Sequence, residues 1–242
     1  MHRKIKLAGL IATVAFAAAT SLYFYGRSFW VPMTVKLTGQ RSVADVITSI
    51  GSKTRNRMAV YFSAAQVAYP PNELTMLALK DSAYLEVWAG HANHPAFIHR
   101  YKIKALSGVS GPKLREGDKQ VPEGIYRIEG LNPNSSFYLS MKLNYPNNFD
   151  SQHAHAEGRT QPGSNIFIHG KSVSIGCLAM GDDAIEELFV LVHDVGLHNV
   201  RIAIAPTDPR LAPLSIGHNP AWVAELYRSL EHEFRQYVRS KT

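Results

Sequence analysis

The sequence predicts an α+β fold: a β-rich domain with flanking helices and an N-terminal membrane segment. Three observations predict it. Between residues 74 and 205, short runs rich in β-branched and aromatic residues alternate with Gly, Pro, Asn and Asp clusters, the pattern of strands and turns. The segments before and after these runs space their apolar residues by three and four, as a helix does. Residues 7–26 carry no charge at all. The chain has 242 residues, 45% of them apolar and 19% charged, which excludes a disordered or collagen-like protein and supplies enough apolar surface for a sizeable core.

Taken in order, Arg3, Lys4 and Lys6 precede the uncharged run 7–26, and about 20 apolar residues in a helix span a bilayer core. The small residues Ala17, Ala18 and Ala19 allow a cleaved secretory signal; continuation through Leu22, Tyr23, Phe24 and Tyr25 favours an uncleaved anchor with an interfacial aromatic belt. Either way the basic end stays cytoplasmic and the rest is exported, so the expected location is periplasmic, anchored in the inner membrane or released after cleavage. Residues 1–30 are therefore a signal anchor or signal peptide.

Residues 31–73 form a helical preface in this reading: a linker over 31–41, then a helix over 43–67 with Gly51 as an interruption, stopped by Pro70 and Pro71. Residues 74–206 form the β-rich domain. Residues 74–80 and 84–89 alternate as a hairpin about Asp81 and Ser82. A further strand begins near Phe97, and a Gly-rich turn region covers 107–117. Short strands follow at 125–129, 165–169 and 200–205. Asp182 is placed as N-cap of a helix running to about Asp194, with Asp183, Glu186 and Glu187 near its positive end. Residues 207–242 form a C-terminal extension. Its helix is expected to start at Asn219 and Pro220 and to bury Val223, Leu226, Leu230 and Phe234.

Charge narrows the partners. Lys plus Arg number 26 and Asp plus Glu 19, but Arg3, Lys4 and Lys6 belong to the leader. What is left is no Lys/Arg stripe, and nucleic acid is not an expected partner. A single cysteine, Cys177, excludes an internal disulfide and a Cys-rich zinc site, and in an exported chain an unpaired thiol points to a working residue.

The chemistry concentrates in residues 166–180. A strand ends in His169, a Gly/Ser loop follows, and Cys177 arrives just before a helix. Sulfur attacks as thiolate, so it needs a base or a positive field, and the loop is long enough to fold Cys177 back against His169. The imidazole is expected to hold the sulfur ionised, with amides near Gly176 and Cys177 facing a developing oxyanion.

The pattern His169-Gly170 followed by Ser174-Ile175-Gly176-Cys177 resembles the L,D-transpeptidase (YkuD-like) catalytic domain, a β-rich cysteine acyltransferase. The likeness extends to Ser107–Tyr126, read as the Gly-rich segment and the P-x-G-x-Y strand, and to Asn144-Tyr145-Pro146-Asn147, read as the pre-lid loop. The resemblance implies that Cys177 is the nucleophile and His169 the base, with the Gly170 carbonyl orienting the ring. It makes Ser174 a site-lining residue and Gly176 part of the oxyanion wall. It implies a thioester acyl-enzyme formed on peptidoglycan stem peptides and resolved by an amine, without metal or organic cofactor. Ala179 stands where most members carry Arg and Ile175 where many carry His or Lys, a departure similar to a murein sub-branch that includes hydrolases releasing lipoprotein. Arg159, Lys171 and Arg115 are the candidates to bind the substrate carboxylate, with Arg159 the preferred one. The alternatives are an L,D-endopeptidase with the same dyad, acting on a murein-bound lipoprotein, and a non-catalytic murein-binding module.

Other constellations read as structural. His91, His94, His153 and His155 lack the spacing of a zinc site. Tyr84, Trp88, Tyr101, Tyr126 and Tyr138 belong to a core before a glycan platform. Glu186 and Glu187 are expected to be solvated and dipole-facing.

Overall fold

The computed structural model describes residues 2–90 and 95–238. The chain divides after Arg41 into two compact units.

In the first, α1 (His2–Tyr25) and α2 (Arg27–Thr38) meet at Gly26. The expected linker over 31–41 is helical as far as Thr38. The helix carries Pro32 inside it and ends only at Gly39, which has a φ of +91° and an amide bonded to the Val35 carbonyl. Among the described residues no helix is long and apolar enough to cross a membrane. The described side chains Val14, Phe16, Leu22 and Tyr23 of α1 are exposed.

The second unit begins with α3 (Val43–Ala64), whose Ser42 cap and Asp45 form a capping box. Val46, Met58 and Phe62 make its buried stripe, and Gly51 sits inside the helix without interrupting it. An eight-stranded sheet follows in the order β3-β2-β1-β8-β4-β5-β6-β7. Its first half is β1 (Leu74–Leu79), β2 (Tyr84–Ala89), β3 (Ala96–Lys102) and β8 (Val200–Ala205). The β1–β2 hairpin is antiparallel, with Leu79 opposite Tyr84. Strands β1 and β8 pair in parallel, Leu74 with Val200 through Leu79 with Ala205.

The alternation read in β1 is real but separates two apolar faces. Leu74, Met76 and Ala78 join the core beneath α3 and α5 (Asp182–Val195), while Leu77 and Leu79 join the core beneath α6 (Val223–Arg235). A central strand covered on both sides buries every residue. Helix α6 starts three residues later than expected: Asn219 donates its side-chain amide to the Ile216 carbonyl, and Pro220 opens a turn before the helix.

The second half of the sheet carries β4 (Gly124–Ser135), β5 (Tyr138–Leu143), β6 (Phe167–His169) and β7 (Leu178–Ala179). The short strand expected at 125–129 continues through Gly130 and Pro133, with register shifts absorbing both. Helix α4 (Asn148–Ala156) follows β5 under an Asn147–Asp150 capping box.

Candidate active site

The site is built on the far edge of the sheet. Strand β6 pairs antiparallel with β5 and parallel with β7, Ile168 opposite Leu178 and His169 opposite Ala179. Side chains alternate across a sheet, so Ile168 and Leu178 point together into the core, where both are buried. Phe167, His169 and the approach to β7 at Cys177 share the opposite face. The Phe167 amide donates to the Cys177 Sγ at 3.4 Å, which fixes the sulfur one strand alternation upstream of the imidazole.

His169 is 3% exposed, with the Phe137 ring 4.7 Å away. Its Nδ1 donates to the Gly170 carbonyl at 2.6 Å, so the neutral ring carries its proton there and Nε2 is the basic nitrogen. Only glycine fits at 170, because a Cβ would lie 2.7 Å from the Phe137 carbonyl oxygen and 2.9 Å from Asp182 Oδ1. Asp182 is not the helix cap expected of it. Gly181, at φ +83°, precedes α5, and the Asp182 carboxylate instead accepts from the Lys171 amide and ammonium.

Cys177 is half-buried at the end of a tight turn. The Ser174 hydroxyl accepts from the Cys177 amide at 3.0 Å and donates to the Cys177 carbonyl at 2.5 Å. The Gly176 amide donates to Ser107 Oγ at 2.6 Å, and that hydroxyl donates to the Lys119 carbonyl. Both amides expected to face an oxyanion are thus taken by serine hydroxyls. Ser174 and Gly176 shape the turn, Gly176 through a φ of +99° that favours glycine.

The electrostatics also differ from the expected thiolate. Burial pushes the His169 pKa below the usual imidazole value, only partly offset by the Gly170 carbonyl. Burial pushes the Cys177 thiol up, offset in part by the Phe167 amide and the Lys113 ammonium. Both shifts favour the uncharged forms, a thiol and a neutral imidazole, over an ion pair.

Lys113 and Ser107 were not singled out by the sequence. They lie on the loop between β3 and β4, which is stitched to the sheet by buried groups. Lys80 pairs with Glu123 at 2.8 Å and donates to the Val109, Gly111 and Val121 carbonyls, while Glu123 also accepts from the Gly111 amide and the Tyr227 hydroxyl.

The three carboxylate-binding candidates are spread out. Arg159 is engaged by Glu157 at 2.7 Å and the Leu114 carbonyl at 2.8 Å. Lys171 is paired with Asp182 over the Tyr138 ring. Arg115 is exposed, and its side chain has no partner among the described residues. Ala179, opposite His169, is fully buried.

Glu186 and Glu187 are anchors rather than solvated charges. Arg57 of α3 bonds both, Tyr138 donates to Glu186 at 2.6 Å and Tyr101 to Glu187 at 2.8 Å. Trp88, Tyr101 and Tyr126 are buried, and Tyr84 and Tyr138 half-buried. His153 stacks on Trp222 at 4.6 Å, and His155 is exposed. His91 and His94 lie outside the described residues. Among the described residues no three His, Cys, Asp or Glu side chains converge as a metal would require.

Comparison with known proteins accounts for this arrangement. The family model described as YkuD, the L,D-transpeptidase catalytic domain, matches residues 82–202. The chain is 33% identical over 132 residues to YafK of Escherichia coli (strain K12), an L,D-transpeptidase by name only. The match covers 52% of this chain and 51% of YafK, and the O157:H7 strain's YafK matches equally. The chain therefore spans about half the length of the curated relatives it matches. Among solved structures, it is similar to the helical cell shape determining protein Pgp2 of Campylobacter jejuni, with a TM-score of 0.47 and 22% identity over 56% of this chain and 48% of Pgp2. It is also similar to Bd1075 of Bdellovibrio bacteriovorus, with a TM-score of 0.41 and 24% identity over 56% and 48%. With Ser107, His169 and Cys177 all inside the matched span, the chain belongs to the YkuD family of L,D-transpeptidase catalytic domains.

Proposed function

We propose that this chain is a cysteine acyltransferase of peptidoglycan, working through a thioester on Cys177. The observation that supports the reading is that the Phe167 amide holds the Cys177 sulfur two residues before His169 on the same strand, while the His169 Nδ1 is tied to the Gly170 carbonyl and leaves Nε2 as the basic nitrogen. In the forward step Nε2 accepts the thiol proton as Sγ bonds to a carbonyl carbon after an L-centre of the stem peptide. The imidazolium then protonates the departing D-residue amine as the C–N bond breaks, leaving the thioester. In the second step Nε2 takes a proton from the acceptor amine, the acceptor nitrogen bonds to the acyl carbon, and sulfur leaves and is reprotonated.

Neutral starting partners suit this cycle, because one base serves both half-reactions. Arg115 is our choice for the substrate carboxylate, since it alone of the three candidates gives up no side-chain partner to bind one. The uncharged run 7–26 behind a basic end supports an anchored catalytic domain on the exported side, where stem peptides lie.

The test is incubation of the protein with muropeptides and mass analysis of the products. Cross-linked stems, formed by wild type and not by Cys177→Ala, are the expected result. Shortened stems or released lipoprotein peptide would move the reading to water as acceptor, and product from Cys177→Ala would refute it.

A further inference from the structure

The peptide unit that joins Gly170 to Lys171 is held at both ends by side chains. Its carbonyl accepts from His169 Nδ1 at 2.6 Å, and its N–H donates to Asp182 Oδ1 at 2.9 Å. The unit is trans, so the two groups point to opposite sides of one rigid plane. Whatever turns the amide therefore turns the carbonyl that orients the imidazole. The neighbouring groups are tied by backbone instead: the Gly170 amide to the Leu139 carbonyl at 3.1 Å, the Met180 amide to the His169 carbonyl at 2.8 Å and the Gly181 amide to the Lys171 carbonyl at 2.9 Å.

The backbone alone does not favour this orientation. Lys171 has a φ of +59°, in the left-handed region that a non-glycine residue avoids. That torsion sets the plane against the rest of the residue, so relaxation toward negative φ would swing the carbonyl off Nδ1. Asp182 opposes the swing. Its Oδ1 lies 2.9 Å from where a Cβ at residue 170 would stand, so the carboxylate packs against Gly170 as well as bonding to Lys171. Its other oxygen takes the Lys171 ammonium, in a pair that leaves 40% of the Asp182 side chain exposed and so adds little to stability.

We infer that Asp182 is a positioning residue for His169, acting through the Gly170–Lys171 peptide plane: by gripping the amide it aims the carbonyl at Nδ1, which keeps the neutral ring's proton there and leaves Nε2 as the base. This rests on His169 being the base of the proposed reaction. The carboxylate acts on the ring only through the intervening plane.

The test reads the ring directly. In protein carrying isotopically labelled histidine, NMR shifts of the two ring nitrogens report which one holds the proton, and His169→Ala identifies the signals. Wild type in mildly alkaline solution should show His169 in the Nδ1–H form. Asp182→Ala should move it toward the Nε2–H form and lower kcat on muropeptides by about tenfold with KM nearly unchanged, the population factor set by the left-handed cost of a non-glycine residue. Asp182→Asn keeps an oxygen for the Lys171 amide and should retain most of both. A merely structural aspartate would change melting and leave the tautomer alone. A wild-type ring in the Nε2–H form, an unchanged tautomer in Asp182→Ala, or Asp182→Asn failing as badly as Asp182→Ala overturns the inference. If Asp182→Ala does not fold, Lys171→Gly and Lys171→Val decide, since both lose the ammonium and only valine resists the left-handed conformation. Less Nδ1–H form in the valine variant than in the glycine variant supports the clamp, and equal fractions overturn it. If wild type makes no product, the acyltransferase reading fails and the tautomer decides the clamp alone.

Discussion

Asp150 offers a sharp test of the electrostatic reading of this fold. It sits at the third position of α4, 7% exposed, and accepts from the Asn147 amide at 3.0 Å with the Tyr126 hydroxyl 3.4 Å away. Burial raises its pKa from the ordinary 3.8 to about 6, against the opposing pull of the Asn147 amide. The folded state therefore holds the proton more tightly than the unfolded chain. Stability is full below the unfolded value and falls as pH rises toward the folded one, reaching its lower plateau above about pH 6. Two pH units correspond to about 3 kcal/mol.

Asp150→Asn removes the charge and keeps the geometry: Oδ1 accepts from Asn147, and Nδ2 donates to the Tyr126 oxygen, whose own proton goes to the Glu123 carbonyl. Giving back about 1 kcal/mol for the lost charge at a helix N-terminus leaves a net gain of about 2 kcal/mol. For a domain of this size that is roughly 4–8 °C in melting temperature. Scanning calorimetry of both proteins at pH 8 and pH 4 checks it. The variant should melt higher at pH 8, and the advantage should vanish or reverse at pH 4. A variant that melts lower at pH 8, or a difference that ignores pH, would refute the argument.

Two further outcomes follow from the site. Turnover against pH should show its acid limb below the usual imidazole range, because burial lowers His169 and the reaction needs its neutral form, so that activity rises as pH climbs through the depressed value. A kcat/KM profile with an acid limb at or above the free imidazole value would contradict this. Gly170→Ala should cost about 1–3 kcal/mol in chemical denaturation and remove most turnover, since a methyl 2.7 Å from the Phe137 carbonyl oxygen forces residue 170 to shift, and it is that residue's own carbonyl that holds the His169 Nδ1. Unchanged activity would show that the carbonyl is dispensable.

Much of this architecture is legible in the sequence, and what is not has identifiable causes. The strands at 74–79, 84–89 and 200–205 stand out because β-branched and apolar residues recur between clear turn signals. His169 and Cys177 stand out because strand, glycine and solitary sulfur fall within a dozen residues. The second half of β4 was hidden by Gly130, Pro133 and Asn134, which mimic a loop while the strand absorbs them as register shifts. Helix α4 carried a readable capping box in Asn147 and Asp150, masked by its few apolar residues. The expected oxyanion amides failed for a different reason: the Gly176 amide bonds Ser107, 69 residues away, which no local pattern announces, and the Cys177 amide is taken inside the turn by Ser174. Lys113 was hidden likewise, since a lysine in a Gly-rich loop normally stays in water.

The parallel pairing of β1 with β8 has a consequence for how the chain reaches its folded state. The two strands are separated by more than a hundred residues, yet each is the other's neighbour at the middle of the sheet. Synthesis delivers β1 early, and until β8 emerges one side of the β1–β2 hairpin carries unmatched amides and carbonyls between apolar side chains. That is a sticky template, open to pairing with other nascent chains. Folding here should be slow and sensitive to crowding, and a truncation removing β8 should yield aggregates rather than a smaller domain.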